Sequence, residues 1–433
     1  LSKPRIAYAG MTHLGLCSGI AAASKRFETV CFDADPARIA DLAAGRLPVI
    51  EPGLPELLQQ HREHVQFTAD ATRLGGCDVV YVAPDIPTDD RGGSDLRPLL
   101  ALLDRVSPAL KPDAPLVILS QVPPGFTRGH LKRVKTLYYQ VETLVFGRAV
   151  ERATEPERFI VGCADPMTPL PPAYRTFLEA FGCPILPMRL ESAELAKISI
   201  NMCLVASVSV ANTLAELSER IGADWGEIAP ALKLDRRIGA YSYLSPGLGL
   251  AGGNLERDLA TVVSLAGETG SEVGTIEAFI RNSRHRRDWA LRALHQELLA
   301  SNTDAVIGIL GLAYKENTHS TKNSPSFALI ERLTPWRLKA YDPVVPAKDA
   351  PHPQIEGAKS ALAAADGVDA LAIMTPWPAF RELRPADIKR AMRGRLVVDP
   401  YRILKGHEVA AAGLDYITLG VPALRASGVN RHA

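Results

Sequence analysis

The chain lacks cysteine pairs, an excess of charge of either sign, and any long unbroken apolar run. Each absence narrows its chemistry. The six cysteines (Cys17, Cys31, Cys77, Cys163, Cys183, Cys203) are scattered, with no CxxC pair. They read as small core residues in a reducing compartment, not as a disulfide framework. No residue cluster has metal-ligand spacing, so no metal is expected. The net charge is +1, which gives no general attraction to nucleic acid or to acidic membranes. No segment approaches about 20 uninterrupted apolar residues, so no membrane span is expected. The N-terminus enters a strand almost at once, without a signal-peptide layout, and a cytoplasmic protein is expected.

An order of elements is present instead. A length of 433 residues predicts two or three domains, and a composition 47% hydrophobic and 22% charged suits packed cores. Residues 5–9 form a short apolar run ending at Gly10, suited to a buried parallel strand. A helix is predicted over about 14–26. Residues 29–32 predict a second strand, ending at Asp33. The runs 78–83 and 115–120 continue the series, and alternation of strand and helix argues for a doubly wound parallel sheet. From about 192 to 221 a long helical pattern dominated by Leu, Ala, Ile and Val predicts a helix buried on most sides, within the chain or against a second copy. Further helices are predicted over 258–300. Alternation resumes at 305–310, 338–342, 370–374 and 396–399. The fold class is α/β: two Rossmann-like doubly wound domains joined by a long central helix and a helical dimerisation segment. The expected boundaries are 1–190, 191–300 and 301–433.

Two segments carry chemistry on their own residues. Gly10-Met11-Thr12-His13-Leu14-Gly15 comes after a strand and opens a helix with the spacing of a dinucleotide fingerprint, and Asp33 ends the next strand, where a ribose hydroxyl would sit. Thr12 replaces the middle glycine and should crowd a pyrophosphate, although its hydroxyl is able to reach a phosphate oxygen. The spacing alone leaves open a tight turn with no dinucleotide. In the long helix, Lys197 and Asn201 are one turn apart and share a face. A buried Lys needs a partner, so this end should meet a polar cavity or a subunit boundary; a solvated patch on a half-exposed helix stays open.

The stretch Leu244-Ser245-Pro246-Gly247-Leu248-Gly249-Leu250-Ala251-Gly252-Gly253-Asn254-Leu255-Glu256-Arg257-Asp258 resembles the active-site loop of the UDP-glucose/GDP-mannose dehydrogenase family, Pro-Gly-x-Gly-aromatic-Gly-Gly-Ser-Cys-x-Pro-Lys-Asp. The resemblance runs collinearly through nearly the whole chain. Asp33, Asp35 and Arg38 match the family's Asp-x-Asp and the basic residue after it, and Glu51-Pro52-Gly53-Leu54 is intact. The family motif Lys-x-x-x-Asn falls on Lys197 and Asn201. Gly311-Leu312-Ala313-Tyr314-Lys315 is similar to the family's Gly-Leu-Ala-Phe-Lys, Ser324-Pro325-Ser326 comes next at the family spacing, and Arg237-Ile238-Gly239 matches its Arg-Ile-Gly.

The resemblance implies NAD as cofactor, with Gly10, Thr12, His13, Leu14, Gly15, Asp33, Arg38 and Gln121 around it; the acidic Asp33 disfavours the 2′-phosphate of NADP. It implies a nucleotide-sugar substrate, UDP-linked in preference, met by Leu144, Lys197, Asn201, Arg237, Tyr243, Gly249 and Lys315, while a sugar-contacting Arg of the family is either lost or displaced to Arg402. It implies that Lys197 and Asn201 stabilise an oxyanion and that Asp258 manages a proton with an ordered water. A homodimer is expected, with no nucleic-acid or membrane partner.

The departures are related to one another. The family's nucleophilic Cys is Asn254, whose amide offers no nucleophile near neutral pH. Within Val141-Glu142-Thr143-Leu144-Val145-Phe146-Gly147 the family's first Glu survives as Glu142, while the second, which serves thioester hydrolysis, is Phe146. The Thr that helps hold the catalytic water is Gln121. The residues needed for alcohol oxidation remain and those needed for the thioester half are gone. The expected activity is a single oxidation to an aldehyde or ketone, with Asn254 hydrogen-bonding the substrate. The alternatives are a non-catalytic nucleotide-sugar binding homologue and a redox-neutral, epimerase-like enzyme with retained NAD.

Overall fold

A computed structural model describes the chain except residues 1–2, 90–92, 133, 135, 252–253 and 427–433. The chain forms two compact units, residues 1–200 and 201–433. The first holds an eight-stranded sheet of β1 (Ile6–Ala9), β2 (Thr29–Phe32), β3 (Val65–Thr68), β4 (Val79–Val82), β5 (Leu116–Ile118), β6 (Leu137–Gln140), β7 (Phe159–Cys163) and β8 (Ile185–Arg189). Their spatial order is β3-β2-β1-β4-β5-β6-β7-β8. Every pairing is parallel except β6 with β7.

Short apolar runs become strands here because both faces are covered. Side chains of β1, β2 and β4 are all buried. One face packs Ile6, Tyr8 and Tyr81 against Leu16, Ile20 and Phe177; the other packs Ala7, Val80 and Val82 against Leu99, Leu103 and Leu190. Each large apolar side chain so buried contributes about 1.5–3 kcal/mol. Tyr8 stacks on Tyr81 at 4.6 Å. The Tyr81 and Tyr174 hydroxyls both donate to Gln140 Oε1 at 2.9 Å, which satisfies polar atoms at the centre of the core.

The second unit holds β9 (Val306–Leu310), β10 (Arg337–Tyr341), β11 (Ile355–Gly357), β12 (Ala370–Ile373), β13 (Leu396–Val398) and β14 (Asp415–Ile417), all parallel, in the order β11-β10-β9-β12-β13-β14. Both sheets place a crossover beside their first strand, and a ligand crevice lies outside the strand ends at such a point. The two parallel-sheet domains agree with the fold class expected from the alternation.

The long helix runs Leu190–Ile221. By length and composition it is apolar enough to cross a membrane, although polar residues interrupt it and leave no unbroken apolar run. Those polar residues are tied into the protein: Glu194 accepts from the amides of Gly125 and Thr127, and Asn212 accepts from the Gly247 amide. Within this one chain Leu195, Val210, Leu214, Leu217 and Ile221 are exposed, so of the two expected covers for the long helix, its own chain leaves these side chains uncovered.

Candidate active site

The β1–helix turn of the first unit is forced by close packing. Gly10 has φ +95°, and a Cβ there would lie 2.9 Å from the Pro84 nitrogen. A Cβ on Gly15 would overlap the Gly10 carbonyl, so only glycine lets the first helix, His13–Ser24, begin this close to β1. Asp33, at the end of β2, accepts from the Met11 amide at 2.7 Å, from Arg38 at 2.9 Å and from the Asp35 amide at 3.0 Å. A carboxylate has about four acceptor positions, so one remains for a ribose hydroxyl. The adenosine end of NAD therefore fits the residues present, with Asp33, Arg38 and the glycine turn to hold it.

The pyrophosphate end differs. Thr12 caps the helix position but makes no side-chain bond to the first turn. Its Oγ1 accepts from the Asp85 amide at 2.8 Å, while Asp85 Oδ2 accepts from the His13 amide at 2.9 Å. Although Asp85 is exposed, surrounding protein disfavours its charge and raises its carboxyl above the usual range, against the opposing pull of His13 and Thr12. His13 Nε2 lies 3.0 Å from Glu51 Oε2, and its ring stacks on Phe146 at 4.2 Å. Glu51 also accepts from the amides of Gly147 and Ala149. Leu14 is buried in the core below, and Gln121 is buried beside Ser120.

Lys197 is buried, and its Nζ lies 2.6 Å from Glu142 Oε1. The other Glu142 oxygen accepts from the Leu144 amide at 3.0 Å. This is the partner that the sequence required for a buried Lys. One turn further along the same helix, in the second unit, Asn201 Nδ2 donates to Asp258 Oδ2 at 2.5 Å. Asp258 is fully buried, and its other oxygen accepts from Arg257 at 3.3 Å.

Asn254 opens the helix Asn254–Thr269 and is exposed. Gly252 and Gly253 of the loop before it lie outside the described residues. Upstream the loop is pinned, with Gly247 on Asn212 and the Leu250 amide, next to Gly249, on Ser283 Oγ at 2.8 Å. Tyr243 is half exposed, and Arg237 is exposed with its guanidinium on Asp235 at 2.6 Å.

In the second sheet Gly311 has φ +94°, and any Cβ would overlap the Thr375 side chain. Asp342 accepts from the Leu312 and Ala313 amides and from Trp377 Nε1. Lys315 lies in a loop closed by Tyr314 N to Ser320 O, with its ammonium 5.7 Å from the Tyr314 ring centroid. Arg402 has φ +52° and donates to Asp224 at 2.9 Å and to the Leu419 carbonyl at 3.1 Å. Asp224 caps the next helix through the Gly226 amide, so Arg402 serves that corner in this conformation. Among the described residues no group of three His, Cys, Asp or Glu side chains is arranged to hold a metal.

Sequence reasoning missed the roles of Asp85, Arg257 and Ser283, and it passed over the His13–Phe146 stack. Asp85 carried a signal, since it comes after Pro84 directly beyond a strand of the series. Arg257 stands beside Asp258 in the chain, whereas the Ser283 contact and the His13–Phe146 stack depend on residues far apart in sequence.

Residues 4–173 match the NAD binding domain of the UDP-glucose/GDP-mannose dehydrogenase family, residues 191–284 its central domain and residues 308–406 its UDP binding domain. The chain is 28% identical over 437 residues to the UDP-glucose 6-dehydrogenase TuaD of Bacillus subtilis, covering 97% of this chain and 94% of that protein. It is 29% identical over 447 residues to a UDP-glucose 6-dehydrogenase of Rhizobium meliloti, covering 96% and 100%. The structure of a UDP-glucose dehydrogenase from Pyrobaculum islandicum superposes with a TM-score of 0.82 at 26% identity, covering 96% of this chain and 97% of that one. A UDP-D-ManNAc dehydrogenase from Pyrococcus horikoshii shares the fold, with a TM-score of 0.81 at 24% identity and coverage of 96% and 99%.

Proposed function

The chain belongs to the UDP-glucose/GDP-mannose dehydrogenase family, and on that premise we propose that it oxidises one alcohol of a UDP-sugar to an aldehyde or ketone without a thioester step. The observation that carries this reading is the selective survival of paired groups. Lys197, Asn201 and Asp258 are buried, with Lys197 paired to the partly buried Glu142 and Asn201 bonded to Asp258, while the nucleophile position is Asn254 and the second Glu position is Phe146.

NAD, when bound, supplies the hydride acceptor. The remaining work belongs to the side chains. Lys197, paired with Glu142, and the Asn201 amide stabilise the alkoxide as the hydroxyl proton leaves. Asp258, through a water or through Lys197, takes that proton. Asn254 donates a hydrogen bond to the product carbonyl and has no thiolate with which to capture it. The reaction then ends after one C–H and one O–H bond have broken.

On this reading cofactor, proton chemistry and nucleotide belong to the successive segments 1–190, 191–300 and 301–433. We place the protein in the cytoplasm as a homodimer. The exposed apolar stripe Leu195, Val210, Leu214, Leu217 and Ile221 of the long helix supports a symmetric contact through that helix, and light scattering showing a monomer at micromolar concentration would count against it. A second reading, a non-catalytic nucleotide-sugar binding homologue, is favoured by the Asp85 carboxylate on the first helix.

Incubation with NAD and a panel of nucleotide sugars separates these. One NADH per turnover and a product lighter by two hydrogens supports the oxidation. Two NADH and a carboxylate would sink it. Asn254→Cys should not restore acid formation, because Phe146 leaves no carboxylate at the family's hydrolytic position.

A further inference from the structure

We propose that Asp85 is an internal competitor for the dinucleotide pyrophosphate and sets how tightly this chain holds NAD. The proposal rests on the reading of the Gly10–Gly15 turn as the cofactor site. Pyrophosphate is held in such turns by backbone N–H groups at the start of the first helix, where the amide dipoles also favour negative charge. Here the His13 N–H is already given to the Asp85 carboxylate at 2.9 Å. The Met11 N–H is given to Asp33 at 2.7 Å. A carboxylate thus occupies the position and presents the charge that a phosphate would.

The arrangement is tied at a second point. The Thr12 hydroxyl accepts from the Asp85 amide at 2.8 Å, so the segment after β4 and the turn after β1 hold each other through reciprocal bonds. The residue that crowds the phosphate approach is the same one that keeps Asp85 in place. Thr12 and Asp85 act as a pair: the first fixes the loop backbone, the second fills the anion position. Asp85 is exposed, so its side chain is free to swing outward, and the cost of binding NAD is breaking its bond to His13. A cradle open about a tenth of the time weakens apparent affinity about tenfold.

The test is calorimetric titration of the full chain with NAD, and with ADP-ribose as a probe that cannot accept hydride. Asp85→Ala should tighten both by about tenfold. Asp85→Asn, which keeps an acceptor for the His13 amide but removes the charge, should tighten them by less. Thr12→Gly should also tighten them by freeing the loop. UDP binding should be unchanged in all three, and this serves as the control for folding. Equal NAD affinity in wild type and all variants would overturn the proposal and leave the cofactor reading standing. Absence of binding in every form, with UDP binding intact, would overturn both.

Discussion

In the first sheet Asp33 ends the second strand and accepts the amide of Met11, the residue after a glycine at φ +95°. In the second sheet Asp342 ends the equivalent strand and accepts the amide of Leu312, the residue after a glycine at φ +94°. At the opposite ends of the strands the likeness repeats. Asp78 accepts from the Arg5 amide just before β1, and Asp369 accepts from the Val306 amide that opens β9. Both sheets thus pin their central strand with a carboxylate at each end. They diverge beyond the glycine. In the first unit a helix starts three residues later and its first amide is taken by Asp85. In the second, a loop with Tyr314, Lys315 and Asn317 at φ +59° intervenes before the helix Pro325–Arg332. The shared carboxylates answer a backbone need common to the topology. The divergent segments answer no such common need.

If chemistry and nucleotide binding are divided in this way, Lys197→Ala should remove oxidation by on the order of 100-fold or more through loss of oxyanion stabilisation. UDP-sugar affinity, measured by titration, should largely persist. Loss of both together would break the division.

The two carboxylates at the glycine turns should differ in weight. Asp342 accepts from the amides of Leu312, Ala313, Val344 and Val345 and from Trp377, more donors than Asp33 serves. Asp342→Ala should cost about 3 kcal/mol and Asp33→Ala about 1–2 kcal/mol in urea unfolding, since each buried donor left unpaired carries a desolvation penalty. Equal losses would show that the partner count does not govern the cost.

Gly311→Ala and Gly10→Ala should each destabilise by about 1–3 kcal/mol, through positive φ and steric overlap. The first should be worse, because its Cβ overlaps the Thr375 side chain. Thermal unfolding of the two variants orders them, and a milder effect at Gly311 would contradict the packing seen there.

The smallest effect concerns pH. The Arg393 side-chain hydrogen bonds, with those of the Val306 amide, hold the Asp369 carboxyl below the usual carboxylate range despite partial burial. A depressed folded pKa contributes stability that is present above the unfolded value, near 4, and is lost as pH falls through the folded value. Arg393→Ala should therefore flatten the acid limb of the unfolding curve only slightly, because the guanidinium is more than half exposed and water screens the pair. An unchanged acid limb would assign that stability elsewhere.

Much of the fold was legible because central parallel strands must be apolar on both faces. β1, β2, β4, β5, β9, β10, β12 and β13 all stand in runs that local pattern identifies. The strands that were not read lie towards the edges or reverse direction. β8 is half exposed and carries Pro187, and β11 is three residues with Glu356 and Gly357 exposed. An edge strand needs only one apolar face, so its pattern is weak. Lys197 and Asn201 were legible as a one-turn pair on a helix face. Glu142 and Asp258 were named as site residues from the resemblance, but which carboxylate closes on Lys197 and which on the Asn201 amide is not written in the spacing along the chain.

The sequence by itself determined the alternation of strands and helices, the Gly10–Gly15 turn with Asp33 after it and, through the family resemblance, Asn254 at the nucleophile position. The first two depend on propensity, periodicity and residue chemistry, all local quantities, while the place of Asn254 comes from the resemblance to the family. Only the tertiary structure decided that Glu142 neutralises Lys197, that Phe146 lies on His13, and that Asp85 takes the first amide of the cofactor helix. Those pairs are separated by 55, 133 and 72 residues respectively, as the positions in the chain give. Partners that distant meet only when the chain has folded, and burial of Lys197 then makes its pairing with Glu142 the costliest of the three to lose.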